Sequence, residues 1–156
     1  MRLARTAFAA ALATALALLA AAPALGSGRY VANREAVAGA MIDKVNKVRA
    51  RSGLRPLRSS GSLAGSSRRF AVHLMRSDVL AHRARPSTSY PRAGEVLAMH
   101  TGRRARVGST VSSWMRSPSH RAVLLDPSMR DMGAGLAHGR FGSSRAVIWV
   151  VQVGKR

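Results

Sequence analysis

The sequence predicts an α+β domain in which helices pack on an antiparallel sheet. Three observations lead there. Apolar residues recur at helical spacing through the first two thirds of the chain. The last quarter switches to a period of two. Gly, Pro, Ser and Asp cluster at the junctions, as turn chemistry requires. Helices followed by paired strands give a layered fold with the helices on a sheet.

The elements follow in order. Residues 27–32 read as a short linker, and Asn33 can cap a first helix whose first turn carries Glu35. Val37, Met41, Val45 and Val48 lie on one face of that helix, and Gly53 is a natural stop. Leu54 to Leu57 form an extended connector. A second helix starts near Ser60 or Ser62. It turns Leu63, Phe70 and Leu74 to one face and Arg68, Arg69 and Arg76 to the others. Beyond Asp78 the chain becomes irregular, with Pro86 and Pro91 marking a loop over 83–93, and Glu95 to Met99 can form a short strand or turn. A third helix spans about 105–116, with Val107, Val111, Trp114 and Met115 in its apolar stripe. Ser117 then caps a short helix with Pro118 at its first position, and Asp126-Pro127 ends it. Residues 132–138 and 146–153 alternate as two strands, joined by a hairpin loop over 139–144.

The N-terminus has a different character. Arg2 and Arg5 precede a charge-free, Ala- and Leu-rich stretch from Thr6 to Ser27, with small residues at Ala22-Pro23-Ala24 and Ala24-Leu25-Gly26. A basic start, an apolar centre and small residues before a cut define a secretory signal peptide, placed here at 1–26. The same stretch is just long enough to remain as an uncleaved anchor, although Thr6, Thr14 and Pro23 suit a membrane span poorly. Cleavage after Gly26 leaves 130 residues, enough for one domain with a core of its own.

The chain carries 26 Lys and Arg against six Asp and Glu, and no cysteine. Loss of Arg2 and Arg5 with the leader leaves 24 basic and six acidic residues, a net charge of +18. An exported protein so basic is drawn to anionic polymers and phospholipid surfaces. Without cysteine it has no disulfide, thiol nucleophile or thiolate ligand. A nucleic-acid role is disfavoured by the leader. It is disfavoured too by the few aromatics, Tyr30, Phe70, Tyr90, Trp114, Phe141 and Trp149, most of which belong to a core.

Five histidines are present. His73 lies mid-helix beside the apolar face, and His100 and His138 lie near loops, where they are expected to be solvated. His120 falls in the first turn of the Pro118 helix, where the unpaired N–H groups disfavour a charged imidazole. His82 and Glu95 flank the 83–93 loop and can converge with it on one cleft.

Several segments resemble, in order, the boxes of the CAP (SCP-like) superfamily of cysteine-rich secretory, antigen 5 and pathogenesis-related proteins. They are Asn46-Lys-Val-Arg49 with Gly53-Leu54-Arg-Pro56-Leu57, Ala93-Gly94-Glu95-Val96-Leu97-Ala98, Trp114-Met115-Arg116-Ser117-Pro118-Ser119-His120-Arg121, Met132-Gly133-Ala134-Gly135, and Trp149-Val-Val-Gln152-Val-Gly154. The resemblance covers about 38–154, assigned as a CAP/SCP domain of the bacterial secreted type, with 27–37 as linker and start of the first helix. It implies an α-β-α sandwich with a central antiparallel sheet.

The resemblance also implies a cleft of two His and two Glu, some members binding a divalent metal there. His82, Glu95 and His120 match three of the four. No Asp or Glu occurs in 96–119, Arg116 lies near the missing position, and Val96 stands where the family has Asn. Two imidazoles and one carboxylate resemble an open zinc site in composition. No residue is assigned a catalytic role. The expected function is a secreted module of the cell envelope or extracellular space. It would bind lipid, anionic wall polymer or a protein partner through the cleft and a basic surface, with peripheral membrane contact. The alternative is a metal-assisted hydrolase or peptidase at the His/Glu cleft.

Overall fold

In the computed structural model the described residues are 25–156 apart from Arg85 and Ser87, with side chains from Asn33 onward. The signal-peptide segment therefore lies outside the described residues, save for its last two. Among the described residues no helix is long and apolar enough to cross a membrane.

Helix α1 spans Leu25–Arg51, so Asn33 lies inside it and caps nothing. The linker expected over 27–32 is helical. A capping side chain acts only where the chain enters from an extended conformation, and residues 29–38 are helix-compatible throughout. Strand β1 is the two-residue Arg58–Ser59, and α2 spans Gly61–Ser77. Ser60 caps α2 through its hydroxyl, which accepts from the Leu63 amide. The last helical turn ends at Asp78 in the left-handed region. Strand β2 is Arg92–Thr101, twice the length expected. It is drawn out by pairing along its whole length with the last strand, from Arg92 opposite Lys155 to Thr101 opposite Ala146. Helices α3, Val107–Arg116, and α4, Pro118–Leu124, follow, then β3, Asp131–Phe141, and β4, Ser144–Lys155.

The sheet order is β1-β3-β4-β2. The three long strands are antiparallel, as expected, and β1 adds a short parallel edge against Asp131 and Met132. Because β4 is central, both of its faces are buried from Ala146 to Gly154. Its odd-numbered residues Val147, Trp149, Val151 and Val153 join Met41, Trp114 and others in the larger core. Its even-numbered Ile148 and Val150 pack with Phe70, Ala71 and Leu74 of α2. Helices α1, α3 and α4 thus cover one face and α2 the other, which is the α-β-α sandwich that the family resemblance implies. Trp114 is buried and donates its indole N–H to the Leu97 carbonyl at 2.8 Å. Trp149 donates to the Ala105 carbonyl at 2.6 Å. Each ring therefore fills the core with its one polar atom satisfied.

Two polar clamps hold the connections. Asn46 accepts from the Leu57 amide at 2.8 Å and donates to the Leu57 carbonyl at 3.0 Å, fixing the connector against α1. Arg49 is fully buried and donates to the carbonyls of Arg55, Leu124 and Asp126. This ties the end of α1 to the end of α4.

Candidate functional site

His82, Glu95 and His120 line one open cavity at the β2 edge of the sheet, together with Ser119 and Val123. Three different elements bring them there. The tail after α2 carries His82, the outermost long strand carries Glu95, and the first turn of α4 carries His120.

Glu95 is the fixed member. Its side chain is only 5% exposed, against 51% for His82. One carboxylate oxygen meets His82 Nδ1 at 3.1 Å and the other accepts from Gln152 Nε2 at 2.9 Å. Register explains the second contact, since Glu95 and Gln152 are directly opposed on β2 and β4. In the sequence Gln152 stands only as part of a strand motif, and its role as a brace is new from the structure. The signal available was its polarity on a strand buried on both faces, where a side-chain amide requires a partner.

His120 is held differently. Its Nδ1 meets the Ser117 hydroxyl at 2.8 Å, and Ser117 in turn meets Ser119 at 3.2 Å. Ser117 occupies the N-cap position of α4, as expected, but its hydroxyl serves the imidazole rather than the helix amides. Burial first, and the neighbouring His82 second, depress the pKa of His120. The imidazole is thereby held neutral at neutral pH.

Arg116 turns away from the cavity, donating to Ser113 at 3.2 Å on the exposed side of α3. The other histidines fall outside the site. His73 is exposed and stacks on Phe70, and His138 is exposed on β3. His100 departs from the solvated position expected of it: it is partly buried and meets the Thr110 hydroxyl at 2.6 Å.

This arrangement does not fit the three-ligand zinc site that His82, His120 and Glu95 suggest by composition. One oxygen of Glu95 is given to His82 Nδ1 and the other to Gln152, so the carboxylate is a hydrogen-bond partner of one imidazole rather than a third ligand. Among the described residues no group of three or more His, Cys, Asp or Glu side chains is arranged to hold a metal ion. With two imidazoles and no third ligand among the described residues, Zn²⁺ should be held weakly, and calorimetric titration should give at most a small difference in heat between the wild type and a His82→Ala/His120→Ala double variant. A much larger heat from the wild type would show that the three side chains rearrange around the ion.

The parts of a hydrolytic relay are present but divided. Among the described residues, the imidazole oriented by a carboxylate, His82, has no serine bonded to it, and the imidazole bonded to a serine, His120, has no carboxylate. A nucleophile, a base and an orienting group in one chain of hydrogen bonds are what acyl transfer needs.

The profile of the CAP family, the cysteine-rich secretory protein family, matches residues 42–153. The chain belongs to this family. The match includes His82, Glu95 and His120, so the cavity at the β2 edge lies within the CAP domain proper. A comparison with curated protein sequences finds no match. Solved structures share the fold at low sequence identity. An outer surface protein of Borrelia burgdorferi is 21% identical with a TM-score of 0.61, over 76% of this chain and 91% of that one. An extracellular SCP-domain protein of Bacillus anthracis is 16% identical with a TM-score of 0.64, over 79% of this chain and 41% of that one. Schistosoma mansoni venom allergen-like protein 4 is 11% identical with a TM-score of 0.58, over 76% of this chain and 87% of that one. These likenesses span helminth and bacterial CAP proteins, and they establish the α-β-α architecture.

Proposed function

We propose that this CAP protein is an exported binding module of the cell envelope or extracellular space that holds an anionic lipid surface or wall polymer, the cleft being available to a protein partner. The observation that carries this reading is the excess of positive charge. After loss of the leader, six carboxylates stand against 24 basic side chains, and the acids are largely committed inside the domain. Asp131 pairs with Arg58, Asp126 with Arg92, and Glu95 with His82. Cations gather in open cavities. Arg68, Arg69 and Arg76 of α2 line one with Arg34, and Arg103 and Arg145 line another with the same Arg34. Arginine-lined concavities of this kind favour phosphate and carboxylate groups, which the guanidinium fork matches in geometry. The bacterial relatives described as outer surface or extracellular proteins support an envelope location, as does the basic, apolar N-terminus.

Binding of the purified protein to anionic vesicles and to an anionic wall polymer should weaken steadily as salt rises, because charge interactions are screened over about 8–10 Å at ordinary ionic strength. Vesicles of neutral lipid should bind little at any salt. Binding that is unchanged by a severalfold rise in salt would remove charge as the driving term and with it this reading.

A further inference from the structure

Two large apolar side chains are exposed among the described residues, Val79 at 54% and Leu80 at 41%, and they are neighbours in sequence. Single exposed apolar residues are ordinary; an adjacent pair at the tip of a helix is a small patch in need of a reason. We infer that the Val79-Leu80 tip is a membrane-contact element that seats in the surface of an anionic bilayer and brings the His82 cleft to that surface. This rests on the proposed preference for anionic surfaces and adds to it a specific point of contact.

The geometry is that of a braced tip. Helix α2 stops at Asp78 in the left-handed region, so the chain turns sharply and projects the next two residues. Asp78 is the one acidic residue between Arg76 and Arg83. Its carboxylate accepts from the Gly142 amide in the β3–β4 turn. That bond fixes the tip to the sheet and also engages the single negative charge that would oppose an anionic surface. Basic residues flank the pair. Arg76 lies in the last turn of α2, and Arg83 follows the pair, with its guanidinium 3.6 Å over the Phe70 ring. Arg140 lies in the same β3–β4 hairpin, held to the Ser143 carbonyl at 2.8 Å. Apolar side chains that enter the acyl boundary, with arginines at the level of the headgroups, form the usual pattern of interfacial attachment.

The tip is also continuous with the cleft. Val79, His82 and Arg83 line one open cavity with Phe70 and Leu74. His82 and Arg83 then line the neighbouring cavity with Glu95 and His120. A bilayer touching Val79 and Leu80 therefore lies beside the imidazole that Glu95 orients.

The test uses Leu80→Trp and a Val79→Ser/Leu80→Ser double variant. Both native tryptophans are buried, so a tryptophan at position 80 reports on its own surroundings through its shift on binding. With vesicles containing a large share of anionic phospholipid, Leu80→Trp should shift to the blue and be quenched by brominated acyl chains. The serine variant keeps the net charge and should bind these vesicles roughly tenfold more weakly than wild type, the loss expected for two small apolar contacts. Vesicle binding with no blue shift and no quenching, and equal affinity for the serine variant, overturns the tip while leaving charge-driven binding intact. Absence of vesicle binding even at low salt also overturns it, and the wall-polymer measurement then decides the wider reading on its own.

Discussion

Replacing Gly133 or Gly135 by alanine should destabilise the domain by about 3 kcal/mol, at or beyond the upper end of ordinary overpacking costs. The cause is the approach of α2 to β3. A Cβ at Gly133 would lie 2.0 Å from the Ala64 amide nitrogen, and one at Gly135 would lie 2.2 Å from that of Arg68. Both obstacles are backbone, so no rotamer change relieves them and the helix must lift from the sheet. Lifting α2 loosens Phe70, Ala71 and Leu74 from Ile148 and Val150 together. For a domain of this size that loss lowers the melting temperature by roughly 10 °C. Two controls give the effect its meaning. At Gly139 the obstacle is the flexible Met75 side chain, at 2.7 Å, so alanine there should cost under about 1 kcal/mol. At Gly108, inside α3, nothing lies within 4 Å, and alanine should be neutral or stabilise by up to about 1 kcal/mol. Thermal melts of the four variants check the ranking. A neutral Gly133→Ala would mean that α2 does not rest directly on β3.

These glycines also mark the limit of what can be read from sequence. The alternation Met132-Gly133-Ala134-Gly135 reveals a strand, because period two survives any change in what covers the sheet. It cannot reveal that the glycines are spaces for a helix backbone, since that depends on the distance between two elements. The helix stripes of Val37, Met41 and Val45, and of Leu63, Phe70 and Leu74, are legible for the same local reason. The non-local part is not. The linker expected over 27–32 rests on Asn33, yet a capping residue is only a preference. Strand β2 looks short because half its length is fixed by pairing with β4 rather than by its own pattern. At the cavity, the convergence of His82, Glu95 and His120 comes from resemblance, not from any spacing between them. Their individual partners, Gln152 and Ser117, come from strand register and the geometry of a single helical turn. Those quantities exist only once the fold does.

Arg49→Met should cost about 3 kcal/mol, the loss expected when several buried acceptors are left without donors. Methionine fills a similar volume, so the variant separates hydrogen bonding from packing. The guanidinium donates from Nε to the Arg55 carbonyl at 3.0 Å, and from Nη1 to the Leu124 carbonyl at 2.7 Å and the Asp126 carbonyl at 3.2 Å. Burial lowers the pKa of Arg49, but a guanidinium remains charged in a protein, so its solvation must come from these carbonyls. Lysine offers one compact charge with no fork and cannot span acceptors on two separate segments. Arg49→Lys should therefore recover less than half of the loss. The damage should also be local before it is global. Arg49 joins the last turn of α1 to the end of α4, and α4 carries His120. Amide exchange in α4 should accelerate in Arg49→Lys more than in the β3–β4 hairpin, whose ladder does not depend on this residue. Denaturant midpoints would give the stability loss, with an unchanged slope confirming that the folded state is otherwise intact. A methionine variant as stable as wild type would show that the cost of burying the charge cancels the bonds it makes. The clamp would then set the position of α4 without stabilising the domain.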